Sequence, residues 1–263
     1  MAVKDINSFF AGWTIKMSNY ISFAKFYDSL TLNVDYFKRT QYLCALFNLY
    51  KFSPKLILDL ACGTGEMSLY LHDLGFDMIA CDYSDAMLSV AQNKATEQNK
   101  DILFLHQEMT KLDLYGTVDC VICCLDSINH LILSGNVNKT FEKVSLFLNP
   151  GGLFIFDVNT IYKHEYILAE NTFVYDLDDV YCVWQNNKIK NNITSINLNF
   201  FEKINDNSYL RYSESFMERA YSVNKLSSML IDSGFEILDI FDELTFEPEN
   251  DKSQRLYFIT RKI

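Results

Sequence analysis

The chain has 263 residues, 49% of them apolar, enough to bury a sizeable core in one α/β domain carrying an insertion. Its apolar runs fall far short of the roughly 20 residues a membrane helix needs, and the opening MAVKDINSFF lacks the layout of a secretory signal; a cytoplasmic protein without membrane contact is expected. A formal net charge of −11 argues against a nucleic-acid partner and suits cationic ligands such as a sulfonium or a protonated amine.

Apolar residues at three-to-four spacing predict helices over Tyr20–Leu30 and Asp35–Tyr50, so residues 1–52 read as a helical cap. Ser53-Pro54 ends that pattern. Strands and helices then alternate. Strands are expected at Lys55–Ala61, Asp77–Cys81, Ile102–His106, Val118–Cys124 and, after the turn Pro150-Gly151-Gly152, Leu153–Val158. Helices are expected at Glu66–Leu74, from the N-cap Ser84 to about Asn99, and at Asn136–Leu148. Such alternation implies a parallel sheet with right-handed crossovers. From Thr172 to Arg219 the pattern changes to period-two alternation broken by polar clusters such as Gln185-Asn186-Asn187, which predicts three or four inserted antiparallel strands. A helix over Tyr221–Ser233 and strands at Phe235–Phe241 and Leu256–Arg261 close the chain. The reading is a single domain, 1–263. Residues 53–158 and 220–263 form its core and 159–219 an antiparallel insert over the acceptor site.

Seven cysteines sit mostly in apolar runs. Cys120 and Cys123 form a C-x-x-C, but on a strand residues three apart face opposite sides. Buried thiols in a reducing compartment are expected, with no metal site.

Four segments carry chemistry. The first is Asp59-Leu60-Ala61-Cys62-Gly63-Thr64-Gly65, where glycines let the backbone turn and approach a ligand before a helix start with free N–H groups. A dinucleotide site needs a third glycine; Ser68 stands there instead. The D-x-x-x-G-x-G form fits S-adenosyl-L-methionine (SAM), whose amino group Asp59 can hold. In the second, Asp82 ends the next strand, where a carboxylate can accept from two ribose hydroxyls, with Tyr83 and Met87 as walls of the ribose and adenine. In the third, Glu108 and Met109 stand where the adenine would lie. In the fourth, Asp119–Leu131, Leu125 and Asp126 fall near the sulfonium, and Asn129 and His130 would face the methyl acceptor. His130 is the best general-base candidate by its ordinary pKa, or else caps a short helix.

With these segments in place the sequence resembles bacterial class I SAM-dependent methyltransferases acting on small molecules. The motifs LDLACGTGEMS, CDYSDAMLSVAQNKA, FLHQEM, CCLDSINHL and LNPGGLFIFDVNT stand in that family's order. FAKFYDSL and ERAYSVNKLSSMLIDSGFEIL extend the likeness over nearly the whole chain. More distantly it is similar to sugar N,N-dimethyltransferases and glycine N-methyltransferases. The resemblance implies a Rossmann-like seven-stranded sheet with a helical cap and a β lid. It implies SAM as cofactor, with S-adenosyl-L-homocysteine as product. It adds Tyr20 to the cofactor residues and sets Tyr27 beside His130 at the acceptor. Ala61 and Glu108 depart mildly from the family pattern. The partner expected is a small-molecule acceptor, methylated on nitrogen or oxygen, by a monomer or homodimer. A methyltransferase acting on RNA or protein and a non-catalytic SAM-binding module are the alternatives.

Overall fold

The computed structural model describes residues 21–31 and 33–263; Tyr20 and the first part of the helical cap lie outside the described residues. Helices α1 (Ile21–Leu30) and α2 (Tyr36–Leu49) come first. The Asp35 side chain caps α2 by accepting from the Lys38 N–H at 2.8 Å. Next come β1 (Leu56–Leu60), α3 (Glu66–Asp73), β2 (Asp77–Asp82), α4 (Asp85–Glu97), β3 (Leu103–His106), β4 (Val118–Cys123), α5 (Ser134–Phe147) and β5 (Leu148–Asn159). Strands β6 (Thr172–Asp176), β7 (Val180–Lys188), β8 (Ile193–Asn205) and β9 (Ser208–Arg219) follow, then α6 (Val223–Asp232), β10 (Phe235–Asp242) and β11 (Arg255–Lys262).

Seven strands form one sheet in the order β10-β11-β5-β4-β1-β2-β3, and β6 to β9 form a second, four-stranded sheet. The first five strands run parallel, and β11 is antiparallel to both its neighbours. This is the Rossmann-like arrangement expected, with the antiparallel insert present as four strands. The parallel strands are buried on both faces, which is why they read as continuous apolar runs. Leu58, Val121, Cys123, Phe154 and Phe156 enter one core, and Ile57, Cys120, Ile122, Leu153 and Ile155 the other. Cys120 and Cys123 therefore face opposite sides of the sheet.

A third core joins α1 to the insert. Phe26 and Leu30 pack on Val180, Cys182, Ile196, Leu198 and Phe200, with Phe26 stacked on Phe200 at 5.1 Å.

Three local expectations need correction. Strand β5 begins earlier than expected, at Leu148; the chain still bends at Pro150-Gly151-Gly152, where Gly151 is left-handed (φ 78°) and the pairing with β4 shifts register, and a Cβ on Gly152 would stand 2.6 Å from the Asp119 carbonyl oxygen. Gln185-Asn186-Asn187 does not end a strand but lies within β7. Asn186 is buried there and donates to the Asn171 carbonyl at 3.0 Å. A π-helical turn at Lys163–Leu168 had no sequence signal.

Phe156 is fully buried, stacked on Phe258 at 4.9 Å and on Phe154 at 4.8 Å. Phe156→Ala is expected to lower unfolding free energy by about 3–5 kcal/mol, read as a reduced urea midpoint at unchanged slope.

Candidate active site

The carboxyl ends of the parallel strands meet at one edge of the sheet, beside the switch from β1 to β4, where open α/β sheets bind ligands. The loop after β1 is held in left-handed backbone at Ala61 (φ 63°), Gly63 (φ 55°) and Gly65 (φ 79°). A Cβ on Gly65 would come within 2.9 Å of the Ala91 Cβ, so glycine lets α3 pack against α4. A Cβ on Gly63 would meet nothing within 4 Å, which leaves room for a ligand against the backbone at this point of the loop. The Cys62 N–H donates to the Cys81 carbonyl at 2.9 Å, tying the loop to β2.

Ser68, at the position where a dinucleotide site would need its third glycine, is fully buried and donates to Asp59 Oδ2 at 2.6 Å. Asp59 is itself buried, and burial pushes its carboxyl up to about 7 against the Ser68 bond. A buried carboxylate of this kind gains from a nearby cation. The Thr64 hydroxyl donates to Asp28 Oδ1 on α1 at 2.7 Å. Lys94 pairs with Asp28 at 2.5 Å and with Glu66 at 2.6 Å. Sequence reasoning missed Asp28, which joins α1 to the glycine loop.

Asp82 accepts from the Gly63 N–H at 2.9 Å and the Ser84 N–H at 2.8 Å. Burial raises its carboxyl pKa, with those N–H bonds opposing. Each oxygen keeps a lone pair for a further donor. Tyr83 is half exposed with its ring 6.0 Å from that of His106, whereas Met87 is buried in α4. Glu108 accepts from Thr110 at 2.6 Å and Lys111 at 2.7 Å, and those bonds lower its pKa. Met109 packs on the core.

After β4, Leu125 and Asp126 both adopt left-handed backbone, at φ 58° and 56°. Asp157 on β5 holds them there, accepting from both N–H groups at 2.8 Å. Arg255 on β11 pairs with Asp157 and, at 2.7 Å, with Asp126 Oδ1. Asn159 donates to Asp126 Oδ2 at 2.9 Å. Glu243 joins Arg255 (3.3 Å) to Arg39 (2.6 Å). Burial would raise Asp126, but Arg255, Lys163 and His130 outweigh it and the carboxyl ends below its ordinary value. An acid inside the apolar run FIFDVN was the available signal for Asp157; Arg255 gave none. Asn129, expected to face the acceptor, is instead fully buried. It donates to the Asn159 and Arg219 carbonyls, both at 3.0 Å, and accepts from the Asn159 N–H at 2.9 Å.

The charges of Asp126 and Asp82 act on both Tyr27 and His130. Burial raises the Tyr27 phenol well above its usual value. Burial lowers the His130 imidazole, with the two acids opposing. The His130 ring lies tilted against Phe216 of β9 with centroids 5.2 Å apart, and its Nε2 lies 3.9 Å from Glu218 Oε1. The insert thus forms one wall of this region. Of its aromatics, Phe200 is buried under α1 while Tyr209 is exposed at the far end. No helix among the described residues is long and apolar enough to cross a membrane.

Residues 57–152 match the methyltransferase domain family. A Geobacillus protein that carries a methyltransferase name is 31% identical over 245 residues, covering 92% of this chain and 99% of its own. The solved structure of a SAM-dependent methyltransferase from Clostridium acetobutylicum is 32% identical, with a TM-score of 0.84, covering 92% of this chain and 98% of that one. The sugar N-methyltransferase KedS8 from Streptoalloteichus shares the fold at 15% identity, with a TM-score of 0.74 over 100% of this chain and 94% of its own. The chain belongs to the class I SAM-dependent methyltransferases.

Arg255 neutralises two buried carboxylates at once. Arg255→Met is expected to lower unfolding free energy by about 3–5 kcal/mol, because one-sided removal leaves buried charge unpaired. It should also weaken SAM binding measured by calorimetry, since the loop holding Leu125 and Asp126 loses its anchor.

Proposed function

We propose that this enzyme methylates an amine nitrogen of a small-molecule acceptor, an amino sugar being one fitting class. The observation carrying the reading is that acids surround His130: ligand atoms of Asp126 and Glu218 lie within 4.8 Å of its ring nitrogen and of each other, and the charges of Asp82 and Asp126 act on both His130 and Tyr27. An anionic cleft concentrates cationic ligands, and an amine approaches as a cation. The fold shared with a sugar N-methyltransferase supports this class of acceptor.

SAM supplies a methyl group on a positively charged sulfur. Asp82 would bind its ribose hydroxyls, Asp59 its amino group, the backbone of residues 61–65 its amino-acid tail, and Glu108 with Met109 its adenine. Leu125 and Asp126 would stand at the sulfonium. The open face of Gly63 and the remaining lone pairs on Asp82 fit this assignment. Helix α1 and the four-stranded sheet would cover the acceptor within one domain and exclude water. Alignment and water exclusion can supply roughly 7–11 kcal/mol of the barrier in well-oriented systems. Tyr27 would orient the acceptor and His130 would take its proton, being neutral and therefore able to accept near pH 7.

Two outcomes are expected. SAM, and not NAD, raises the melting temperature, and Asp82→Ala removes that shift; an unchanged calorimetric affinity in the folded variant would overturn the ribose assignment. In a panel of primary amines, amino sugars and matched alcohols, methylation falls on the amines. His130→Ala then lowers turnover by about a hundredfold while SAM affinity holds; transfer to the alcohols alone would overturn the amine reading.

A further inference from the structure

Glu218 is buried in β9, 3% exposed, where a carboxylate needs a reason to be. Its Oε1 lies 3.9 Å from His130 Nε2 and its Oε2 lies 3.7 Å from His164 Nε2. His164 is 2% exposed, and its Nδ1 is spent on Thr194 at 2.9 Å. Glu218 Oε2 and His164 Nε2 are buried atoms without a hydrogen-bond partner. So one buried carboxylate stands between two histidines, its Oε1 toward His130 and its unpartnered Oε2 toward His164.

We propose that Glu218 is the positioning residue and proton sink behind His130. The inference rests on the reading of His130 as base. The N–H bond of the bound ammonium breaks, its electron pair staying on nitrogen as the attacking lone pair. The proton joins the imidazole, and the Nε2 proton passes to Glu218, returning His130 to neutrality. The 3.9 Å gap exceeds a hydrogen bond, but such contacts commonly tighten only once substrate is bound.

The surrounding charge fits one proton. Asp126, Asp157, Glu218 and Glu243 face Arg39, Lys163 and Arg255 in one connected group, four carboxylates against three cations. With Glu218 ionised the group carries one uncompensated negative charge, and a single proton cancels it. A divalent metal would overshoot that balance, although Asp126, His130 and Glu218 place ligand atoms within 4.8 Å of one another. Asp126 already spends its oxygens on Arg255 and Asn159. Burial pushes Glu218 above the usual carboxylate range and Asp126 adds to it, against Lys163, Arg255 and the Asn159 bond. Burial lowers His130 against Asp126 and Asp82, and lowers His164 to about 4. The proton is therefore passed on to Glu218 and held there. The sign follows: below the raised Glu218 value the sink is already full, so turnover should rise with pH as it empties.

The test is NMR of ¹³C-histidine-labelled full chain saturated with S-adenosylhomocysteine, titrated with acid and base. In the wild type the His130 ring is expected to shift in two steps, the upper one shared with a buried carboxyl whose infrared carbonyl band vanishes over the same range. Glu218→Gln should keep the lower step and lose both the upper step and the band. Glu218→Asp should keep the upper step at a displaced midpoint. S-adenosylhomocysteine affinity and melting temperature report whether either variant folds. Identical His130 titrations in wild type and Glu218→Gln would overturn the inference alone, whereas His130→Ala turning over an amine at wild-type rate would overturn the base reading beneath it. Zinc added alone is expected not to bind; Glu218-dependent zinc binding would make this a metal site and overturn the relay.

Discussion

Arg255 bonds two carboxylates, Asp157 of β5 and Asp126 of the loop after β4, and the shape of that loop depends on it. Asp157 comes from β5 and holds the Leu125 and Asp126 N–H groups in a backbone conformation that bulky residues adopt reluctantly. Two consecutive left-handed residues carry strain of order 1–3 kcal/mol each. Asp157 offsets it by accepting from both N–H groups at once, and Arg255 lies against the same carboxylate. Strand β11 is the antiparallel last strand, so the residue farthest along the chain fixes the loop where chemistry is expected. The same guanidinium reaches Glu243 and, through it, Arg39 of α2. One cation thereby couples the helical cap, the central sheet and the edge of the cleft.

Helix α1 makes two contacts of unequal strength. Toward the glycine loop it offers Asp28, bonded to Thr64 and Lys94. Asp28 keeps 41% of its side chain exposed, and exposed pairs contribute at most about 1 kcal/mol. Toward the insert it buries Phe26 and Leu30, each stabilising by about 1.5–3 kcal/mol. The weaker seam is therefore the one over the cofactor loop. The helix is held more firmly to the four-stranded sheet than to the glycine loop.

What the sequence made legible follows from what is local or periodic. Both cores were readable because parallel strands buried on both faces are apolar at most positions. The glycine loop was readable because backbone geometry demands particular residues there, and Asp82 because it ends a strand at a fixed distance from that loop. Ser84 capped its helix as expected, accepting from the Met87 N–H at 3.3 Å. Asn129, Asp157, Arg255 and Glu218 were illegible or misread for one reason: each is defined by a partner 30 to 129 residues away. A lone Asn next to His130 looks functional until the fold brings the Asn159 and Arg219 carbonyls to it. Glu218 sits in the period-two insert, where alternation says which face is buried but not that a carboxylate on that face meets two histidines. The polar tripeptide within β7 failed similarly: polarity signals a turn only if no buried carbonyl is there to satisfy it.

The acidity seen in the composition thus has a local as well as a global meaning. Scattered surface acid serves solubility, but Asp59 and Asp82 are held in the cleft at a cost to the unliganded fold. Asp59, pushed up to about 7, binds a proton in the folded chain that the unfolded chain gives up near pH 4. Its contribution to stability therefore falls as pH rises between those values, and above them the full penalty of a buried carboxylate is present. A cation beside Asp59 lowers its folded pKa and recovers what was lost. A destabilised carboxylate and the proposed preference for a positively charged ligand would be one property seen from two sides. A neutral residue at position 59 would stabilise the unliganded protein while removing the buried acid proposed to hold the amino group of SAM.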